Sequence, residues 1–233
     1  MTLGNRRMKI LVISDVHSNL GNLNAVLAFE SDADLVYCAG DLVDVGFQPC
    51  EVIDRLRSLN IPAVRGNHDD HVIELWRRGV DADAVPENFL QLNAQLLDAD
   101  RIAYLESLPE RLCFSHDGVS YLMQHLYKGY ELLRSDYDFD EVWGDAPVAS
   151  GSRHRCIIFG HTHHQAVTWL ASDRCWINPG SVGYNRPQDP FPGTRYLTIC
   201  DGEVAFHRLE HPAWCSRSEL RRRFEERYPK AAE

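Results

Sequence analysis

Seven side chains spread along the chain have the types and spacing to hold metal. Asp15 and His17 stand in Asp15-Val16-His17, Asp41 in Gly40-Asp41-Leu42-Val43-Asp44, and Asn67 in Gly66-Asn67-His68-Asp69. His125 follows an apolar run, and His161 and His163 share Gly160-His161-Thr162-His163. Carboxylate, carboxamide and imidazole are hard to borderline donors, and such a mixed set suits manganese, iron, zinc, cobalt or nickel. Thiolate is missing from it, which argues against a structural zinc. So many imidazoles argue against calcium. In this order the donors fit two divalent ions that make water nucleophilic, the chemistry of phosphate-ester hydrolysis.

Donors so far apart in sequence need elements to gather them. Apolar, β-branched runs predict strands at Lys9–Ser14, Leu35–Ala39 and Ile61–Val64, with helices at Asn19–Phe29 and Pro49–Leu59 between them. Strand, helix, strand, helix, strand implies parallel pairing. From Asp70 to Leu108 the pattern is helical and reads as an insertion or cap over about 70–108. Its Trp76, Phe89, Leu92 and Tyr104 suit either core or a pocket lining. Arg111–Ser115 and Val119–Gln124 form a hairpin across Asp117-Gly118. Residues 127–154 read as a long loop with one short helix. Arg155–Phe159, Gln165–Leu170, Cys175–Ile177, Arg195–Cys200 and Glu203–Arg208 complete the strands, with a second hairpin turn at Asp201-Gly202. A last helix spans Ser216–Tyr228, capped by Ser216 or Ser218.

Each donor follows a strand, and open α/β sheets collect ligands at the carboxyl ends of parallel strands. In extended backbone, residues two apart point the same way. Asp15 can then share a target with His17, and His161 with His163. Gly40, Gly66 and Gly160 sit where a chain leaving a strand turns sharply.

Composition sets bounds. The chain has 233 residues, 44% hydrophobic, enough for one domain with a full core. A net charge of -10 disfavours nonspecific binding to nucleic acid or anionic membrane. Seven cysteines, scattered and without a CxxC pair, suggest a reducing, cytoplasmic setting. The basic start runs into an apolar stretch too short for a signal peptide. No stretch approaches the roughly 20 apolar residues that cross a bilayer.

The ordered set D-x-H, GD, GNHD, H and GHxH resembles the calcineurin-like metallophosphoesterase superfamily over roughly residues 9 to 200. Asn178-Pro179-Gly180-Ser181-Val182-Gly183, with Arg186 nearby, is similar to a segment of the YfcE-like bacterial phosphodiesterase branch. The resemblance implies a single α/β domain over 1–233, a four-layer αββα sandwich of two mixed sheets flanked by helices. It implies two divalent metal ions, one on Asp15, His17, Asp41 and His163. The other would sit on Asp41, Asn67, His125 and His161, with Asp41 bridging. A metal-bridging hydroxide would attack phosphorus in line. His68 would be the catalytic imidazole, oriented by Asp69, with Arg65, Asn67 and His68 contacting substrate. Leu126 departs from the family, which often has Gly after the histidine, and could narrow the site or shift the second metal. Asp44 suits either orienting a ligand or capping a helix.

The expected activity is a phosphodiesterase on a small or nucleotide-derived phosphate ester. A phosphomonoesterase, acting on phosphoprotein or diadenosine polyphosphate, would use the same centre. A noncatalytic scaffold of this fold, as in retromer-type relatives, would have lost ligands that are all present in this chain.

Overall fold

The computed structural model describes residues 8–128, 132–186, 189 and 191–229. The basic start at 1–7 lies outside the described residues. Strands β1 (Lys9–Ile13), β2 (Leu35–Cys38), β8 (Thr194–Cys200) and β9 (Glu203–Leu209) form one sheet in the order β2-β1-β8-β9. The second sheet holds β3 (Arg111–His116), β4 (Val119–Gln124), β5 (His154–Ile158), β6 (Gln165–Ala171) and β7 (Arg174–Pro179), ordered β3-β4-β5-β7-β6. Both are mixed. β1 pairs parallel with β2 and antiparallel with β8, and β5 lies parallel to both β4 and β7. Helices α1 (Leu20–Phe29), α2 (Pro49–Ser58), α3 (Asn67–Arg78), α4 (Phe89–Leu96), α5 (Ala99–Ser107), α6 (Asp136–Trp143) and α7 (Arg217–Arg227) complete the described elements.

The layers follow from side-chain alternation along the strands. In β1, Leu11 and Ile13 pack among Leu23, Val26, Val52, Leu56 and Leu105 on the helical side. The alternate Ile10 and Val12 face the other sheet's Tyr121, Met123, Ile158 and Ile177. In that second sheet Leu122, Ile157 and Trp176 point the opposite way, onto Phe139, Val142 and Trp143 of α6. Helix, sheet, sheet, helix is therefore the order of the sandwich.

Two expectations change. Ile61–Val64 does not become a ladder strand but a single parallel bridge between Cys38 and Ala63. Pro62 accepts from the Cys38 amide at 3.0 Å but has no N–H to return, so the ladder cannot extend. The helical region starts at Asn67, not Asp70, and three helices fill it. Ala94, Leu97, Ile102, Leu105 and Leu108 join the main core, so the insertion is part of the outer helical layer. Trp76 and Tyr104 pack there too, whereas Phe89 faces a cleft. Both hairpins form: Asp117 and Gly118, and Asp201 and Gly202, take the positive φ their turns require. No described helix is long and apolar enough to cross a membrane.

Candidate metal centre

The donors converge at one end of the sandwich, from loops after β1, β2, β4 and β5 and from the first turn of α3. Asp15 is 0% exposed, Asp41 1%, His17 0%, His125 3%, His161 8% and His163 1%; hydration of their charge is excluded, so they need one another or a cation. Asp15, His17 and His163 lie within reach of a common ion, as do Asp41, His125 and His161. A third grouping joins His17, Asp41 and His68.

Shared direction does not come from extended backbone, as the spacing argument supposed. Asp15, His17, Asp41, His161 and His163 all take left-handed φ, at 54°, 51°, 54°, 67° and 65°. Non-glycine residues pay for that region, and clusters of them belong to functional loops. Backbone bonds hold the loops: the His17 amide donates to the Asp41 carbonyl at 3.0 Å, and the His161 amide to both Asp15 carboxylate oxygens at 3.1 Å. Gly66 and Gly160 are required by close approach. A Cβ on Gly66 would overlap the Asp41 carboxylate and amide, and one on Gly160 would overlap Ser14 Oγ.

Hydrogen bonds aim the imidazoles. His125 Nδ1 donates to the Ala39 carbonyl at 2.7 Å, and His163 Nδ1 to the Tyr184 carbonyl at 2.9 Å. Each leaves Nε2 facing the cluster, the orientation that suits a metal ligand. His163 Nε2 is 3.3 Å from Asp15 Oδ1 and 3.2 Å from His17 Nε2. His125 Nε2 is 3.0 Å from Asp41 Oδ2, which is 3.8 Å from His17 Nε2. Asn67 Oδ1 is buried without a hydrogen-bond partner, and Asp41 Oδ2 and His125 Nε2 face one another as an ion pair. A buried orphan acceptor beside carboxylates and imidazoles is what a divalent cation would satisfy, and the donor set fits one.

Charge is concentrated here. Burial pushes the Asp15 pKa up, but His163, with His125 and Ser14, more than offsets it and holds it at about 2. Burial likewise opposes His125, yet Asp41 raises it to about 10. Burial and the charge of His125 lower His161 to about 4.

His68 stands apart from the buried donors, with a side chain 25% exposed. Its amide donates to Asp41 Oδ1 at 2.9 Å, and its Nδ1 to Asp44 Oδ2 at 2.6 Å. Burial works against the imidazolium, but the Asp44 hydrogen bond and the charges of Asp41 and Asp44 raise its pKa. The carboxylate that orients His68 is therefore Asp44, not Asp69. Asp69 is spent on backbone: its oxygens accept from the amides of Leu42, Val43 and Gly66 at 2.9, 3.1 and 2.9 Å. That pins the Asp41 loop to the start of α3. Arg65 is not placed for phosphate. Its Nε pairs with Asp70 at 2.7 Å, and its Nη1 donates to the Glu106 carbonyl at 3.0 Å.

The Asn178–Gly183 segment is structural. Asn178 Nδ2 donates to the Gly160 carbonyl at 2.6 Å, and Ser181 Oγ to the Asp15 carbonyl at 3.0 Å. Arg186 Nη2 donates to the His161 carbonyl at 2.8 Å. His164 is exposed on the rim, while His207 and His211 hydrogen-bond Thr198 and Thr194. From His68 and Asp44 a cleft of about 1400 Å³ runs between residues 85–90 and α7, lined by Val45, Phe89, Phe224 and Tyr228.

The family model described as a calcineurin-like phosphoesterase superfamily domain matches residues 8–202. An uncharacterized protein of Methanocaldococcus jannaschii is 30% identical over 225 residues, 87% of either chain. Among solved structures, a metallophosphoesterase from Sphaerobacter thermophilus is similar at TM-score 0.68 and 28% identity, covering 94% of each chain. The E. coli phosphoesterase YfcE is similar in fold, at TM-score 0.50 and 17% identity, over 87% of this chain and 100% of its own.

Proposed function

This chain belongs to the calcineurin-like phosphoesterase superfamily, and from that premise we propose that it is a dinuclear-metal phosphodiesterase acting on a small or nucleotide-derived ester. The observation that carries the reading is the pair of donor groups, Asp15 with His17 and His163, and Asp41 with His125 and His161, beside a partly exposed His68. Asp15, His17, Asp41 and His163 would hold one ion. Asp41, Asn67, His125 and His161 would hold the other, with Asp41 shared. When bound, the cations would supply Lewis acidity toward phosphate oxygens and lower the pKa of water.

His68 is the proton donor. As imidazolium it carries a proton on each ring nitrogen. Nδ1 is committed to Asp44, so Nε2 is left to protonate the leaving alkoxide. Asp44 is a positioning residue that holds the ring and favours the charged form. The apolar lining of the cleft beyond His68 supports an ester with organic substituents, which favours a diester over a bare monoester. The free thiols support a reducing, cytoplasmic setting.

The test is a substrate panel after chelation and add-back of manganese, iron, zinc, cobalt or nickel. Bis-p-nitrophenyl phosphate and cyclic nucleotides should be cleaved faster than p-nitrophenyl phosphate or a phosphopeptide. Activity should vanish with chelator and return with metal. Preference for the phosphopeptide would overturn the diester reading, and a metal-loaded protein inert on every ester would leave the scaffold reading.

A further inference from the structure

A second cavity, of about 250 Å³, lies at the start of α7 and is lined by Asn185, Arg186, Trp214, Ser216, Arg217 and Ser218. Resting on the phosphoesterase reading above, we propose that this cavity binds a second phosphate group of the substrate, so that the preferred esters carry one phosphate to be cleaved and another to be held.

Four observations converge on an anion. The cavity opens on the N-terminus of an 11-residue helix, capped by Ser216, where the helix dipole favours negative charge. Asn185 is only 7% exposed, yet its Nδ2 and Oδ1 are both buried without a partner. Trp214 Nε1 is another buried donor without one. Arg217 has no carboxylate partner among the described residues, whereas Arg221, Arg222 and Arg223 further along the helix are paired with Glu225, Glu226 and Glu219. Among the described residues the one carboxylate in the wall, Asp189, is taken by both terminal nitrogens of Arg195. An acceptor-rich, doubly charged ligand would satisfy the two orphan N–H groups and Arg217 together. Asn185 Oδ1 is then left for a protonated phosphate oxygen or a hydroxyl of the same molecule.

The cavity is also in the right place. The Arg217 guanidinium lies 5.4 Å from the centroid of the Tyr184 ring. That ring is 4.5 Å from the His163 ring and 4.9 Å from the His17 ring. Arg217 and Ser218 also line the cleft that begins at His68 and Asp44, so one wall serves both spaces. Arg217 and Ser218 stand beyond residue 202, where the family match ends. The subsite would thus join Asn185 of the shared domain to Arg217 from a segment outside the match.

Two measurements test this. The first compares kcat/KM for thymidine 3′-(p-nitrophenyl phosphate) with and without a 5′-phosphate, two diesters that differ only in the second phosphate. The wild type should prefer the 5′-phosphorylated ester. Arg217→Gln, at an exposed position, and the isosteric Asn185→Asp should each cut that preference about tenfold or more, the worth of one charge-assisted hydrogen bond. The second titrates inorganic phosphate into chelator-treated protein by calorimetry, which needs no turnover. Binding should be seen in the wild type and weaken by a similar factor in both variants. Unchanged preference and unchanged phosphate binding would overturn the subsite while leaving the phosphodiesterase reading intact. Phosphate binding lost in the variants with preference unchanged would also overturn it, as the site would then be separate from the substrate. A wild type that cleaves neither ester but binds phosphate through Arg217 would overturn the catalytic reading and the substrate role together.

Discussion

In the proposed reaction Asp44 and His68 would decide how it ends, since the leaving alkoxide needs a proton. His68→Ala should keep its metal, because the buried donors are untouched, and lose turnover on the order of 10²–10⁴-fold, the usual worth of a general acid. Metal analysis beside kcat on a poor leaving group checks both halves. Asp44→Asn is the finer experiment. With His68 as the proposed proton donor, its protonated form would be the active one, and the rate should fall as pH rises through its pKa. Asp44 raises that pKa through its hydrogen bond and charge, against the opposing pull of burial. The substitution should therefore move the basic limb of the kcat profile to lower pH, whereas a purely structural role would lower kcat at every pH alike. Of these two residues, His68 was legible because it adjoins Asn67 in a recognisable run. The partnership with Asp44 was not, because it joins positions 24 apart. Asp69, next in sequence, looked the better partner and instead ties three backbone amides.

At the scale of elements, the strand ends were readable and their backbone was not. Short, continuous apolar runs place β1, β4 and β5, and their carboxyl ends deliver Asp15, His125 and His161 much as expected. Nothing in an apolar run reports left-handed φ at successive donors, so the loops were misread as extended. Pro62 carried a warning that Ile61–Val64 could not ladder. Glycine is where backbone demand does surface in the sequence. Gly160 lies between β5 and His161 with a negative φ, so its need is space rather than conformation. An added methyl would overlap Ser14 Oγ and sit 2.9 Å from the Ala39 carbonyl and 3.0 Å from Asp15 Oδ2. Gly160→Ala should then cost about 1–3 kcal/mol, the usual penalty of overpacking, and push Asp15 out of register with His163. Urea denaturation would read the first effect. Weaker metal affinity at unchanged helix content would read the second.

In the whole molecule the centre also joins the two sheets. The loop after β1 belongs to the first and the loops after β4 and β5 to the second, yet they meet through Asp15, Asp41, His125 and His161. The Val182 amide donates to the Ser14 carbonyl at 2.9 Å, and the Gly183 amide to the Asp15 carbonyl at 2.8 Å, so the chain returning toward β8 is fastened to the same point. A cation bound there would clamp both halves of the sandwich and neutralise two buried carboxylates. Stability should accordingly be linked to metal by mass action. At a free concentration 100 times Kd the gain is about 2.7 kcal/mol, which for a chain of this size means a rise in Tm of about 5–10 °C. The linkage has a pH sign. In the cation-free site His125 holds a proton up to about 10, and a cation must displace it to use Nε2. Metal binding therefore releases a proton, and the stabilisation from a fixed metal concentration should grow as pH rises from 6 to about 8. Scanning calorimetry with chelator and with added metal at several pH values measures this directly. Asp41→Asn, which removes the shared carboxylate, should abolish the metal-dependent part of Tm. A melting temperature indifferent to both chelator and metal would mean that the buried donors hold no cation.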